Sequence, residues 1–250
     1  MKFLAIIPAR YASTRFPAKP LALLGGKPII QRVYERVQQV FPDLCVATDD
    51  ERIAQVVEGF GGVAVMTSVH HRSGTDRCFE AFQKMGGEAD VVVNVQGDEP
   101  FIAESQLRTI MVCFEDEQTQ IATLVKPFSA DCSVEQIENP NSPKVVVDKN
   151  GYALYFSRSV IPYLRGVPRE EWPFRHTYLK HIGLYAYRAE VLKQITALPL
   201  GTLEQVESLE QLRWLENGLK IKVGTTDIET IGIDTPEDLK HAEEFLAQHP

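Results

Sequence analysis

Short apolar runs alternate with segments of helical period through the first half of the chain. Residues 3–7 are apolar throughout, the pattern of a buried strand. A long loop follows, and near Pro28 the period changes. Ile29, Ile30, Val33, Val37 and Val40 recur at three- and four-residue spacing, which predicts an amphipathic helix with proline harmless in its first turn. Residues 44–47 predict a second strand, 53–60 a helix closed by Gly61-Gly62, 63–66 a third strand and 75–85 a third helix. Residues 91–95 are apolar apart from Asn94, as in parallel strands covered on both faces. This βαβα order predicts a doubly wound α/β sheet.

The pattern changes in the second half. Residues 144–148 and 152–157 flank Lys149-Asn150-Gly151, a hairpin signal because Asn-Gly accepts positive φ. Residues 162–178 are rich in Pro and Arg and predict a loop. Residues 180–187 alternate as a strand, with Ile182, Leu184 and Ala186 toward the core and His181, Gly183, Tyr185 and Tyr187 on the other face. Residues 189–197 and 202–217 predict helices, 220–226 a strand and 235–248 a last helix. Within 202–217, Leu203, Val206, Leu209 and Leu212 form the expected core stripe, and Glu207, Glu210, Gln211 and Trp214 a second face. The expected architecture is a single α/β domain over residues 1–250, with a mixed-sheet lobe inserted over approximately 125–190.

Composition narrows the class. At 44% hydrophobic residues the chain can build a core and is not disordered. Its net charge of −8 argues against a nucleic-acid partner. No apolar run approaches the roughly 18–20 residues that span a bilayer, and no membrane partner is expected. Arg10 closes the apolar N-terminal run at once, so that run reads as a strand and not a secretory signal. Cys45, Cys78, Cys113 and Cys132 make no CxxC pair, which points to reduced thiols in a cytoplasmic protein and not to zinc.

Charge is segregated, however. The first acidic residue is Glu35, and Lys2, Arg10, Arg15, Lys19, Lys27 and Arg32 precede it. Three of these, Arg10, Arg15 and Lys19, fall in the loop leaving the first strand, at the strand edge where open α/β sheets bind ligands. Cations there suit a polyphosphate, or else form a solvated basic loop. Neither a dinucleotide glycine fingerprint nor a Walker loop is present.

Pro8-Ala9-Arg10-Tyr11-Ala12-Ser13-Thr14-Arg15-Phe16-Pro17-Ala18-Lys19-Pro20-Leu21 resembles the signature of the sugar-activating cytidylyltransferases, and within them the 3-deoxy-manno-octulosonate (Kdo) branch. The resemblance continues in order through Ser73-Gly74-Thr75-Asp76-Arg77, Val95-Gln96-Gly97-Asp98-Glu99-Pro100, Tyr152-Ala153-Leu154-Tyr155-Phe156-Ser157-Arg158, Leu209-Glu210-Gln211-Leu212-Arg213 and Asp234-Thr235-Pro236-Glu237-Asp238-Leu239. It implies a nucleotide-diphospho-sugar transferase-like fold whose inserted lobe makes a homodimer. The implied reaction is CTP plus Kdo to CMP-Kdo plus pyrophosphate, for lipopolysaccharide synthesis, with Mg²⁺ as cofactor.

Residue roles follow from that resemblance. Arg10, Arg15, Lys19, Ser73, Gly74, Arg77 and Asp98 are implied for the nucleotide, with Arg10, Lys19, Asp98 and Asp234 catalytic and Asp98 and Asp234 holding the metal. Gln96, Arg158, His181, Tyr185, Glu210 and Gln211 are implied for the sugar, with Glu207 less firmly attached to that set. Each has a plain structural alternative. Asp98 could cap a helix near Ile102, Ser73 and Thr235 fit helix N-caps, Arg158 could hold the Asp148 hairpin, and the other polar faces could simply be solvated. A sialic acid or amino-Kdo cytidylyltransferase, or a non-catalytic nucleotide-binding protein, are the other readings.

Overall fold

In a computed structural model, which describes residues 1–12, 15–229 and 231–248, nine strands of three residues or more alternate with helices. The strands are β1 (Phe3–Ala9), β2 (Leu44–Thr48), β3 (Ala64–Met66), β4 (Val91–Asn94), β5 (Ile121–Pro127), β6 (Lys144–Val147), β7 (Ala153–Ser157), β8 (Leu179–Arg188) and β9 (Ile221–Thr225). The α-helices are α1 (Ile29–Gln38), α2 (Glu51–Gly59), α3 (Gly74–Lys84), α4 (Glu104–Val112), α5 (Val134–Glu138), α6 (Trp172–Arg175), α7 (Ala189–Thr196), α8 (Thr202–Glu207), α9 (Gln211–Glu216) and α10 (Pro236–Gln248). The motif positions Ser13 and Thr14 lie outside the described residues.

The chain divides into two compact units. The first comprises Met1–Arg108, Ala186–Thr196 and Thr230–Pro250, and the second Thr109–Tyr185 and Ala197–Glu229. In the first unit the strands run β3-β2-β1-β4, all parallel. Leu4–Ile7 and Leu44–Ala47 are buried at every position, so helices cover both faces, as the βαβα order requires. The helix starts are chemically specified. Asp50 accepts from the Arg52 amide at 3.0 Å to open α2, and the Ser73 hydroxyl accepts from the Asp76 amide at 3.1 Å to open α3. At α10 the Thr235 hydroxyl accepts from the Asp238 amide at 3.2 Å while the Asp238 carboxylate accepts from the Thr235 amide at 2.8 Å, a reciprocal cap.

The second unit is mixed. Strands β9 and β5 pair in parallel, β5 neighbours β8, and β6 pairs antiparallel with both β8 and β7. The β6–β7 hairpin turns at Asn150-Gly151, where Gly151 has φ of 76°, as Asn-Gly predicts. A satellite core of Ile137, Trp172 and Tyr178 is filled out by Phe128, Val160, Leu164 and Val167.

The structure corrects three expectations. The helix expected over 202–217 is two helices, α8 and α9, broken where Ser208 enters the left-handed region at φ 51°. Its core stripe therefore fails at its first half: Leu209 and Leu212 are buried, but Leu203 is exposed and Val206 is 85% exposed. The loop expected over 162–178 contains a 3₁₀ turn, Arg169–Glu171, and α6. Among the described residues no helix is long and apolar enough to cross a membrane. All four cysteines are free. Burial pushes the Cys45 thiol up to about 12, and that of Cys113 up to about 11, which keeps both unreactive.

Candidate active site

The C-terminal end of β1 is approached by two glycines. A Cβ on Gly97 would sit 2.9 Å from the Pro8 carbonyl oxygen, and one on Gly74 would sit 3.3 Å from Pro8 Cγ. Glycine lets the β4 loop close onto the Pro8 backbone at Gly97, and at Gly74 it lets the α3 N-terminus approach the Pro8 ring without displacing it. They bound a cavity of about 270 Å³ within the first unit. Arg10, Arg15, Lys19, Ser73, Gly74, Arg77, Gln96, Asp98 and Asp234 all line it, drawn from four segments far apart in sequence.

Charge is paired inside it. The Lys19 ammonium lies 2.6 Å from Asp98 Oδ2 and 3.2 Å from Asp234 Oδ1. Arg15 reaches the other oxygen of Asp234 at 3.2 Å. Lys19 opens a helical turn, Lys19–Leu21, anchored by buried Pro20 and by the bond from the Ala18 amide to the Tyr11 carbonyl at 3.0 Å. The loop is pinned again by the Arg52 guanidinium, 3.4 Å above the Tyr11 ring. Asp98 and Asp234 are joined through the backbone as well, the Ile233 amide donating to the Asp98 carbonyl at 2.9 Å. Asp98 does not cap α4, whose start is held by Gln106, accepting from the Ala103 amide at 3.0 Å. Two hard carboxylates that share one cation are a donor set suited to Mg²⁺. Among the described residues no group of three or more His, Cys, Asp or Glu is placed to hold a metal, so an ion here would take its remaining ligands from phosphate or water oxygens.

Arg77 is buried, its guanidinium committed to Thr67 Oγ1 at 2.6 Å and Asp49 Oδ2 at 2.7 Å, and Ser73 spends its hydroxyl on the α3 cap. Two lining residues escaped the sequence reading, His71 and Arg72. Their signal was the basic run His70-His71-Arg72 directly before the Ser73 cap. His71 is held by the Glu80 carboxylate, which also accepts from the Ser68 amide at 2.8 Å and pairs with Lys84 at 2.8 Å. Burial raises the Glu80 carboxyl, but these partners outweigh it and bring it down to about 2.

The residues expected for the sugar lie in the second unit, Gln96 excepted. On β8, His181 Nε2 is 3.0 Å from Thr123 Oγ1, whose hydroxyl also reaches the Leu184 carbonyl at 2.9 Å. With the hydroxyl proton given to Leu184, Oγ1 accepts from His181 Nε2–H, which leaves Nδ1 as an acceptor. Desolvation lowers the imidazole to about 3, so it is neutral at physiological pH. The Tyr185 ring lies tilted against His181 at 5.3 Å and edge-on to Trp214 at 5.2 Å between centroids. On the face assigned away from the core, Tyr185 and Tyr187 are both buried, whereas at Gly183 a Cβ would meet nothing within 4 Å.

Gln211 is buried, and its Nε2 has no hydrogen-bond partner. Glu210 holds Arg213 at 2.8 Å. Glu207 is turned onto β7, accepting from Ser157 Oγ at 2.6 Å and the Arg158 amide at 2.9 Å. Arg158 does not hold the Asp148 hairpin. Its guanidinium donates to the carbonyls of Glu207, Pro140 and Ser208 at 2.6, 2.8 and 3.1 Å, and so fixes the α8–α9 break. Lys144, also unanticipated, is fully buried beneath it, donating to the Arg158 and Asn139 carbonyls at 2.7 and 3.0 Å.

A family model described as cytidylyltransferase matches residues 4–221. The chain is 70% identical over 246 residues to a 3-deoxy-manno-octulosonate cytidylyltransferase of Bacteroides thetaiotaomicron, covering 98% of each protein. It is 68% identical over 248 residues to the enzyme of that name from Phocaeicola vulgatus, covering 99% of this chain and 98% of the other. A solved structure of CMP:2-keto-3-deoxy-manno-octonic acid synthetase complexed with CTP superposes with a TM-score of 0.91 at 43% identity over the whole of both chains.

Proposed function

The chain belongs to the 3-deoxy-manno-octulosonate cytidylyltransferase family, and on that premise we propose that it transfers CMP from CTP to the anomeric hydroxyl of Kdo. It is a nucleotidyltransferase. The hydroxyl oxygen attacks the α-phosphorus in line, a new P–O bond forms, the bond to the bridging oxygen breaks and pyrophosphate departs. Such a transfer needs positioning and charge neutralisation more than covalent help from the protein. Arg10, Arg15 and Lys19 bind the triphosphate and offset the charge that grows on the leaving group. Asp98 and Asp234 hold Mg²⁺. When bound, the ion neutralises the α-phosphate and lowers the pKa of the attacking hydroxyl. The Ser73-Gly74 turn and Arg77 shape the nucleotide pocket.

The observation that carries this reading is one cavity that gathers Arg10, Arg15 and Lys19 with the carboxylates of Asp98 and Asp234 around the end of β1. For the sugar, the unmet Gln211 Nε2 donor, the His181 Nδ1 acceptor and the open space over Gly183 fit a polyhydroxylated acid. Tyr185, Glu210, Arg158 and Gln96 complete this reading, Arg158 by holding the α8–α9 break that presents Glu210 and Gln211. Pyrophosphate release from CTP is measured with Kdo, amino-Kdo and a sialic acid, each with Mg²⁺ and with EDTA. Release with Kdo and Mg²⁺ alone is expected, and a preference for another acid would replace Kdo as substrate.

The working form is a cytoplasmic homodimer. Its contact surface is the inserted lobe, where Tyr163 and Phe174 are 73% and 70% exposed beside the Trp172 cluster. A monomeric mass by light scattering would remove this part of the reading.

A further inference from the structure

Lys19 occupies the place that the function requires of a metal. Its ammonium bridges Asp98 and Asp234 at 2.6 and 3.2 Å; its own side chain is 14% exposed against 30% for Asp98 and 49% for Asp234, so solvent screens the Asp98 contact less than the Asp234 contact. A divalent ion bound to the same oxygens would sit about 2.1 Å from each. An ammonium left in place would then face a doubly charged cation at near contact, a repulsion of several times the thermal energy even with strong screening. The two cations are therefore alternatives at this pair. The backbone at Lys19 is fixed by buried Pro20 and the Ala18–Tyr11 bond, so exchange requires only rotation of the lysine side chain. Arg10 and Arg15, which line the same cavity, mark where a polyphosphate would offer that ammonium new partners.

We propose that Lys19 is an exchangeable counter-ion: it neutralises Asp98 and Asp234 in the nucleotide-free enzyme and moves to the CTP phosphates, making metal entry dependent on nucleotide. The proposal rests on the reading of Asp98 and Asp234 as the metal carboxylates. By linkage, the factor by which CTP tightens the ion equals the factor by which the ion tightens CTP. A protein whose carboxylates were already filled by metal would show no such coupling through Lys19.

The test is titration of the full-length protein with Mn²⁺, followed by electron paramagnetic resonance, without and with CTP. Wild type, Lys19→Met, Lys19→Gln, Asp98→Asn and Lys19→Met/Asp98→Asn are compared, with circular dichroism to establish folding. Without nucleotide, both single variants should bind Mn²⁺ about tenfold or more tighter than wild type, and the double variant should lose that gain. CTP should tighten Mn²⁺ on wild type more than on either single variant. Equal Mn²⁺ affinity of wild type and folded Lys19 variants without nucleotide would overturn the exchange. That result leaves the metal reading standing if Asp98→Asn still abolishes binding in the presence of CTP. Mn²⁺ binding indifferent to Asp98 throughout would instead remove the metal reading, and the exchange with it.

Discussion

Gly97→Ala separates the geometry of this site from its charge. The new methyl carries no charge and meets no strained φ, yet it would lie 2.9 Å from the Pro8 carbonyl oxygen, 3.4 Å from Ile7 Cγ2 and 3.6 Å from Ile30 Cδ1. The nearest of these is backbone at the end of a buried parallel strand and cannot swing away. An ordinary contact requires about half an ångström more room, and the β4 loop is the part that can give. Overpacking of this kind costs about 1–3 kcal/mol of stability. The displaced loop carries Asp98 one residue later, so the carboxylate moves with it. A misplacement of about 1 Å can cost a hundredfold in rate, and half of that should lower kcat about tenfold. The assay is steady-state pyrophosphate release beside urea denaturation, and the expected signature is a fall in both. A variant destabilised as expected but with wild-type kcat would mean that Asp98 does not depend on the β4 loop for its position. An unchanged stability would mean that the approach to Pro8 is not tight.

Gly183→Ala, by contrast, adds a methyl into open space, so stability should hold within about 0.5 kcal/mol while KM for Kdo rises and KM for CTP stays; an unchanged Kdo constant would place the sugar elsewhere. Asp98→Asn and Asp234→Asn each keep shape and remove charge, and each should fold normally and lose about a hundredfold or more in turnover. Retention of wild-type turnover and Mg²⁺ dependence by Asp234→Asn would reduce that residue to a lead into the α10 cap. Glu80 sets a pH dependence of stability. Its native carboxyl is held down to about 2 from 4.5, so the unfolded chain binds the proton first on acidification. The contribution is complete above about pH 4.5 and is lost as pH falls through about 2, amounting to about 2–3 kcal/mol. The stability gap between wild type and Glu80→Gln should narrow over that window, and a gap independent of pH would show that the His71–Glu80–Lys84 contacts do not perturb Glu80.

What could be read from the sequence was what local chemistry decides. The strands of the first unit are apolar runs bounded by turn residues, and the caps at Ser73 and at Thr235 with Asp238 are specified within four residues, so both emerged where expected. The cationic loop was visible as a charge asymmetry, although only the folded chain brings Asp234 across to it. The failures are non-local. Nothing between Thr202 and Asn217 announces a break, because Ser208 is held in the left-handed region by an arginine fifty residues away. Strand β5 went unread although Ile121-Ala122-Thr123-Leu124-Val125 is mostly apolar, and with it the partner that sets the His181 tautomer, Thr123, was missed. The hairpin pattern says nothing of the burial of Lys144, which is enclosed because two carbonyls satisfy its ammonium.

The two aspartates illustrate how a fold can deliver like charges to one point although they repel. Asp98 ends the loop after β4, and Asp234 precedes α10, 136 positions later by their numbers. Their approach is enforced by groups that carry no charge. The Ile233 amide bonds the Asp98 carbonyl at 2.9 Å, and Phe101 meets Phe245 edge-on with ring centroids 4.9 Å apart. One contact ties the segments beside the carboxylates, and the other ties the same two segments three residues after Asp98 and near the end of α10. The Thr235–Asp238 cap then fixes where α10 starts, and so where Asp234 stands. Apolar packing and backbone bonding thus hold the carboxylates together against their repulsion, and a cation is what relieves it. Lys19 meets that need in the conformation described, and in the proposed exchange a metal would meet the same electrostatic demand once the lysine had phosphates to turn to.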